Sequence, residues 1–123
     1  MTKRILIVED HEDARRILRD MLEITDYELV EAENGEQALA AVARQRPDLI
    51  LMDIQLPILD GYEATRRIKA DPALRSIPII AVTSYALSGD EAKARAAGCD
   101  DFIPKPYSPR QLLAKVRQYL DQS

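Results

Sequence analysis

The sequence predicts a doubly wound α/β fold, and three observations carry that prediction. Five short apolar runs alternate with longer stretches whose apolar residues recur every three or four positions. Strands alternating with helices in this way imply a parallel sheet covered on both faces. The chain has 123 residues, enough for one compact domain spanning residues 1–123 and too few for two. Turn residues separate the periodic segments at Asn34-Gly35, Pro47, Pro57, Asp60-Gly61, Asp71-Pro72 and Gly98.

Ile5-Leu6-Ile7-Val8 is rich in β-branched residues and reads as a buried first strand. It leads into a helix whose inward face carries Ala14, Ile17, Leu18, Met21 and Leu22. Tyr27–Ala32 is a second strand. The helix after Asn34-Gly35 turns Ala38, Leu39 and Val42 inward and ends before Pro47. Leu49–Met52 is the third strand, and the helix behind its loop runs from Tyr62 to Ala70. The fourth strand is expected over Ile77–Val82, with Pro78 tolerated at its start. An alanine-rich helix (Ala92, Ala94, Ala96, Ala97) closes at Gly98, a left-handed cap. Phe102-Ile103 marks the fifth strand. Ser108-Pro109 is an N-cap and N1 pair for a last helix that buries Leu112, Leu113, Val116 and Leu120. Right-handed crossovers leave few topologies, and the flavodoxin-like (βα)5 order 2-1-3-4-5 is the natural one at this length.

Composition excludes several classes. The net charge of −4 gives no electrostatic reason to bind nucleic acid or an anionic membrane. Cys99 is the single cysteine, so no intrachain disulfide forms, and the residue is expected to act as a small buried hydrophobe. The apolar run Ile5–Val8 is too short for a signal-peptide core or a membrane span. A cytoplasmic location is expected.

In doubly wound sheets, ligands bind beyond the carboxyl ends of the strands, near the switch point between strands 1 and 3. Glu9-Asp10-His11-Glu12-Asp13 follows strand 1, Asp53 strand 3, Thr83 strand 4 and Lys105 strand 5. The chain lacks both G-x-G-x-x-G and G-x-x-x-x-G-K-[ST], so no glycine-rich phosphate cradle is present. An acidic loop repels phosphate, so anion chemistry here needs a cation first. Oxygen ligands without cysteine or a well-placed histidine favour Mg²⁺ or Mn²⁺ over zinc. Each residue alone has an ordinary reading: helix-end charge for Glu9-Asp10, a turn for Asp53, a cap for Thr83, a solvated amine for Lys105. Their coincidence at four strand ends has no such reading.

Glu9-Asp10, Asp53 followed by Pro57 and Gly61, Thr83, and Lys105-Pro106 together resemble the motif set of response-regulator receivers, over essentially the whole chain. Short receivers without an output domain, of the chemotaxis and DivK-like type, are the nearest kind. The resemblance implies that Asp53 is the phosphoacceptor, charged by a phosphohistidine on a histidine kinase or phosphotransfer protein. It implies Mg²⁺ held by Glu9, Asp10, Asp53 and the backbone carbonyl of Gln55. Lys105 and Thr83 would each bind a phosphoryl oxygen, and Phe102 matches the aromatic switch position, although a plain core aromatic is the competing reading. Such a protein is a switch that catalyses only its own phosphorylation and dephosphorylation.

Two new charge-assisted bonds contribute about 1.5–3 kcal/mol each. Inverting a two-state equilibrium needs about 5.5 kcal/mol. An incomplete switch is therefore expected. Output is expected through the face of the fourth helix, fifth strand and last helix, where Tyr85, Leu87, Phe102 and Tyr107 would form an aromatic-rich patch. Gln55 and Tyr85 occupy positions expected to influence hydrolysis of the aspartyl phosphate. Lys105-Pro106 is predicted to be cis, at a cost of about 0.5–1 kcal/mol for an X-Pro bond. His11 is expected to face solvent, and Asp100-Asp101 to form a solvated turn.

Competing functions are distinguishable. A haloacid-dehalogenase-type phosphohydrolase wants a second acid two residues after its nucleophile, and Gln55 stands there. A degenerate receiver would lack Asp53, Lys105 or the acid pair, and all are present. The runner-up is a receiver segment of a hybrid histidine kinase; the start at Met1 and the end just past the last helix favour a free-standing protein.

Overall fold

The computed structural model describes residues 2–83 and 90–121. Five strands alternate with five helices: β1 (Arg4–Val8), α1 (Glu12–Leu22), β2 (Glu28–Ala32), α2 (Gly35–Arg44), β3 (Leu49–Asp53), α3 (Gly61–Ala70), β4 (Ile79–Thr83), α4 (Asp90–Ala97), β5 (Asp101–Pro104) and α5 (Pro109–Leu120). All strand pairs are parallel, in the order β2-β1-β3-β4-β5, as the sequence predicts.

The period-two alternation of side chains splits the apolar strands into two cores. Leu6, Val8, Ile50, Met52, Ile79 and Ala81 face α2, α3 and α4. Ile5, Ile7, Leu49, Leu51, Ile80 and Val82 face α1 and α5, packing on Leu18, Leu22, Leu112, Val116 and Leu120. Burial on both faces explains why β3 and β4 are apolar runs rather than alternating ones. The edge strand β2 is less buried, with Leu29 and Val30 packing on opposite cores while Glu28 and Glu31 are exposed.

The local signals behave as expected. Ser108 and Gln111 form a reciprocal capping box on α5, with Pro109 in the first turn. Gly98 takes φ +111° at the end of α4, a conformation that disfavours any side chain. Lys105-Pro106 is cis, and Cys99 is buried against Thr65.

Three expectations need correction. The fourth strand begins at Ile79: Pro78 has no N–H to donate, so only its carbonyl extends the pairing, accepting from Ile50 N–H. On α1, Leu18 and Leu22 are buried but Ile17 is 52% exposed, because β1 and α5 meet only part of the predicted stripe. Asp100-Asp101 is not a solvated turn. Asp101 is buried at the start of β5, where its carboxylate accepts from Lys115 Nζ (2.9 and 3.0 Å), Tyr119 Oη (3.1 Å) and Phe102 N–H (2.8 Å). Asp100 accepts from Lys69 Nζ and Ile79 N–H, both at 2.8 Å.

Candidate functional site

Register brings the strand ends into line. Val8 pairs with Ala32 on one side and Met52 on the other, Asp53 pairs with Val82, and Thr83 with Pro104. The next residues out, Glu9 and Lys105, therefore stand at the same sheet edge as Asp53 and Thr83. Backbone bonds hold each end: Glu9 N–H to Ala32 O (3.0 Å), Ile54 N–H to Val82 O (3.3 Å) and Lys105 N–H to Thr83 O (2.6 Å). The loop behind Asp53 folds back so closely that a Cβ on Gly61 would run into the Asp53 carbonyl.

Glu9 is 1% and Asp53 7% exposed, and Thr83 is buried with them. Lys105 Nζ donates to Glu9 Oε1 at 2.6 Å, and the Glu9 and Asp53 carboxyl groups are near enough to perturb each other. Asp53 Oδ1 accepts from Gln55 N–H at 3.1 Å. Two buried carboxylates this close cannot both ionise cheaply. Burial first, then the Glu9 charge, push the Asp53 carboxyl up to about 7. Burial acts on Glu9 too, but its interactions with Asp53 and Lys105 outweigh it and hold that carboxyl down at about 2. Burial and Glu9 also raise Asp10.

Glu9, Asp10 and His11 present ligand atoms within 4.8 Å of one another. His11 is exposed, as expected, yet its Nδ1 lies 3.4 Å from Glu9 Oε2 and 3.2 Å from Asp10 Oδ1, so the histidine is better placed than the sequence implied. Asp53 meets this group through Glu9. Asp10 Oδ1 is buried and accepts no hydrogen bond among the described residues, although His11 Nδ1 lies 3.2 Å away. A buried carboxylate oxygen beside the Glu9 carboxylate fits a hard divalent cation.

Phe102 packs partly buried against the α2–α4 core. Tyr85 and Leu87 lie outside the described residues. Two features were not visible in the sequence. Ala14, Ile17, Met21, Lys105, Pro106 and Tyr107 line a cleft of about 500 Å³ beside the site. Burial, then the Glu9 and Asp53 charges, push the Tyr107 phenol up to about 12. Arg15, on the first turns of α1, donates to the Glu9 carbonyl at 2.8 Å. Among the described residues, no helix is long and apolar enough to cross a membrane.

A doubly wound sheet that gathers three acidic side chains, a threonine and a lysine at its carboxyl edge defines a class of phosphoryl-accepting signalling domains. The chain belongs to the response-regulator receiver family, whose model matches residues 5–117. It is 45% identical over 120 residues to the polar-differentiation response regulator DivK of Brucella anthropi, covering 98% of both chains. A putative response regulator of Chloroflexus aurantiacus superposes with a TM-score of 0.94 at 29% identity, over 99% of this chain and 100% of that one. The receiver domain of the sensor histidine kinase PA1611 of Pseudomonas aeruginosa, with magnesium in its active-site cleft, gives 0.91 at 38% identity, over 99% and 100%. The chain is a DivK-like two-component response regulator, a reading that fits better than the hybrid-kinase segment.

Proposed function

We propose that residues 1–123 work as one receiver in which Asp53 accepts a phosphoryl group from a phosphohistidine of a kinase or phosphotransfer protein. The observation that carries this is Asp53, buried at the carboxyl end of β3 beside Glu9, at the same sheet edge as Thr83 and Lys105. Ionised Asp53 is the nucleophile: its oxygen forms the new P–O bond as the P–N bond to the donor histidine breaks. Glu9, Asp10, Asp53 and the carbonyl of Gln55 would hold Mg²⁺, whose charge offsets the acidic pocket and the incoming phosphoryl oxygens. Lys105 shifts from Glu9 to one phosphoryl oxygen, and Thr83 turns its hydroxyl to another. The protein has no separate substrate and acts only on its own acyl phosphate. The change in Thr83 and Phe102 then leaves through the α4-β5-α5 face to a protein target, with no role for nucleic acid or membrane, in the cytoplasm.

Acetyl phosphate with Mg²⁺ should add a single phosphate, seen by intact mass. A full-yield adduct on Asp53→Asn would show the acceptor to be another residue.

A further inference from the structure

We propose that Arg15 is a positioning residue for the Mg²⁺ pocket, fixing the Glu9–Asp10 peptide from behind; this rests on the metal reading above. The segment from Glu9 to His11 joins β1 to α1, and its fit to a cation depends on how the Glu9–Asp10 peptide is turned. His11 occupies the N-cap of α1 without a side-chain capping bond, so the helix start does little to fix it. The His11 N–H bonds to Glu9 Oε2 at 3.2 Å, and Arg15 adds a restraint on the Glu9 carbonyl. Its side chain is only 11% exposed and uses all three guanidinium nitrogens. Nη1 donates to the Glu9 carbonyl (2.8 Å), Nε to Glu31 Oε1 (3.2 Å) and Nη2 to Glu33 Oε1 (3.4 Å). The two glutamates flank Ala32, whose carbonyl accepts from Glu9 N–H. The Glu9 residue is thus tied to the end of β2 through its N–H directly and through its carbonyl by way of Arg15. With the carbonyl released, the peptide turns more freely and carries the Asp10 carboxylate with it. The planar fork matters, since a lysine reaches these three acceptors with a single point of charge.

Arg19 provides a control within the same helix. It donates to the same Glu31 carboxylate (2.7 Å) and so also ties α1 to β2, without bonding to residues 9–11. Electrostatics and positioning predict opposite signs. Removing a cation near the pocket should by itself tighten Mg²⁺ binding, whereas freeing the Glu9–Asp10 peptide should weaken it.

Calorimetric Mg²⁺ titration of the wild type, Arg15→Met, Arg15→Lys and Arg19→Met separates these. Groups behind metal ligands typically control affinity by 10–100-fold, so both Arg15 variants should bind about tenfold more weakly. Arg19→Met should bind as the wild type does, or slightly tighter. Hydrogen exchange at the Asp10 and His11 amides, measured without cation, should accelerate in the Arg15 variants only. Arg15→Met that binds Mg²⁺ as tightly as the wild type, with unchanged exchange, overturns the proposal, as does equal weakening by Arg19→Met. A wild type that takes up no Mg²⁺ overturns the metal reading itself, and the exchange data then still report whether Arg15 holds the peptide.

Discussion

Replacing Asp53 by Asn should stabilise the cation-free protein, increasingly so as pH rises. Burial beside Glu9 pushes the folded Asp53 carboxyl up to about 7, against 3.8 as its ordinary value. A carboxyl whose folded pKa is raised destabilises the fold, because the folded state must keep a proton that the unfolded chain has released. The cost begins near pH 4 and is complete above pH 7. At about 1.36 kcal/mol per unit, it amounts to roughly 2 kcal/mol at pH 5 and roughly 4 kcal/mol at pH 8. The amide of the replacement side chain has almost the same shape, carries no charge and donates to the ionised Glu9. Urea denaturation in a chelator should therefore give the Asp53→Asn protein a higher midpoint at both pH values, with the larger gap at pH 8. Mg²⁺ should close part of that gap by stabilising the wild type more than the variant. A variant no more stable than the wild type at pH 8, or a gap that fails to widen from pH 5 to pH 8, would refute the buried-pair argument.

Asp101→Asn should lose about 1–3 kcal/mol, since the Lys115 and Tyr119 partners lose a buried charged acceptor. Burial alone would raise Asp101, but Lys115 and the Phe102 N–H hold its carboxyl below the ordinary range. Its contribution is therefore present above that range and lost as pH falls through the folded value, which acid titration of wild type against variant will show. Ile58 is 74% exposed and holds φ +70°, with Leu59 N–H closing a tight turn onto Pro57 O at 2.7 Å. Strain of about 1–2 kcal/mol there exceeds the entropy cost of about 0.5–1 kcal/mol for glycine. Ile58→Gly should raise the urea midpoint, and a lower midpoint would show the turn to be unstrained. Beryllofluoride, standing in for the phosphoryl group on Asp53, should shift amide signals most at residues 84–92 and 100–112. Shifts concentrated on residues 14–24 would place the output on the α1 face instead.

Element types and strand order were legible because they rest on short-range rules. Apolar runs in β3 and β4, the Ser108 cap and the glycine at position 98 each state their own conformation. The site was legible for a related reason: in a parallel sheet every strand ends at the same edge, so reading the residue after each apolar run places Glu9, Asp53, Thr83 and Lys105 together. The neighbours those residues acquire were not legible. Lys105 bonds to Glu9 across 96 positions of sequence, and nothing local distinguishes Asp101, buried and tied to Lys115, from Asp100 beside it. Period alone assigned Ile17 to the core, while the cleft beside Tyr107 leaves it half in solvent. Which of two neighbouring carboxyls keeps a proton is likewise a tertiary matter. It depends on burial and on where one lysine lies, and those are set only when the strand ends close together.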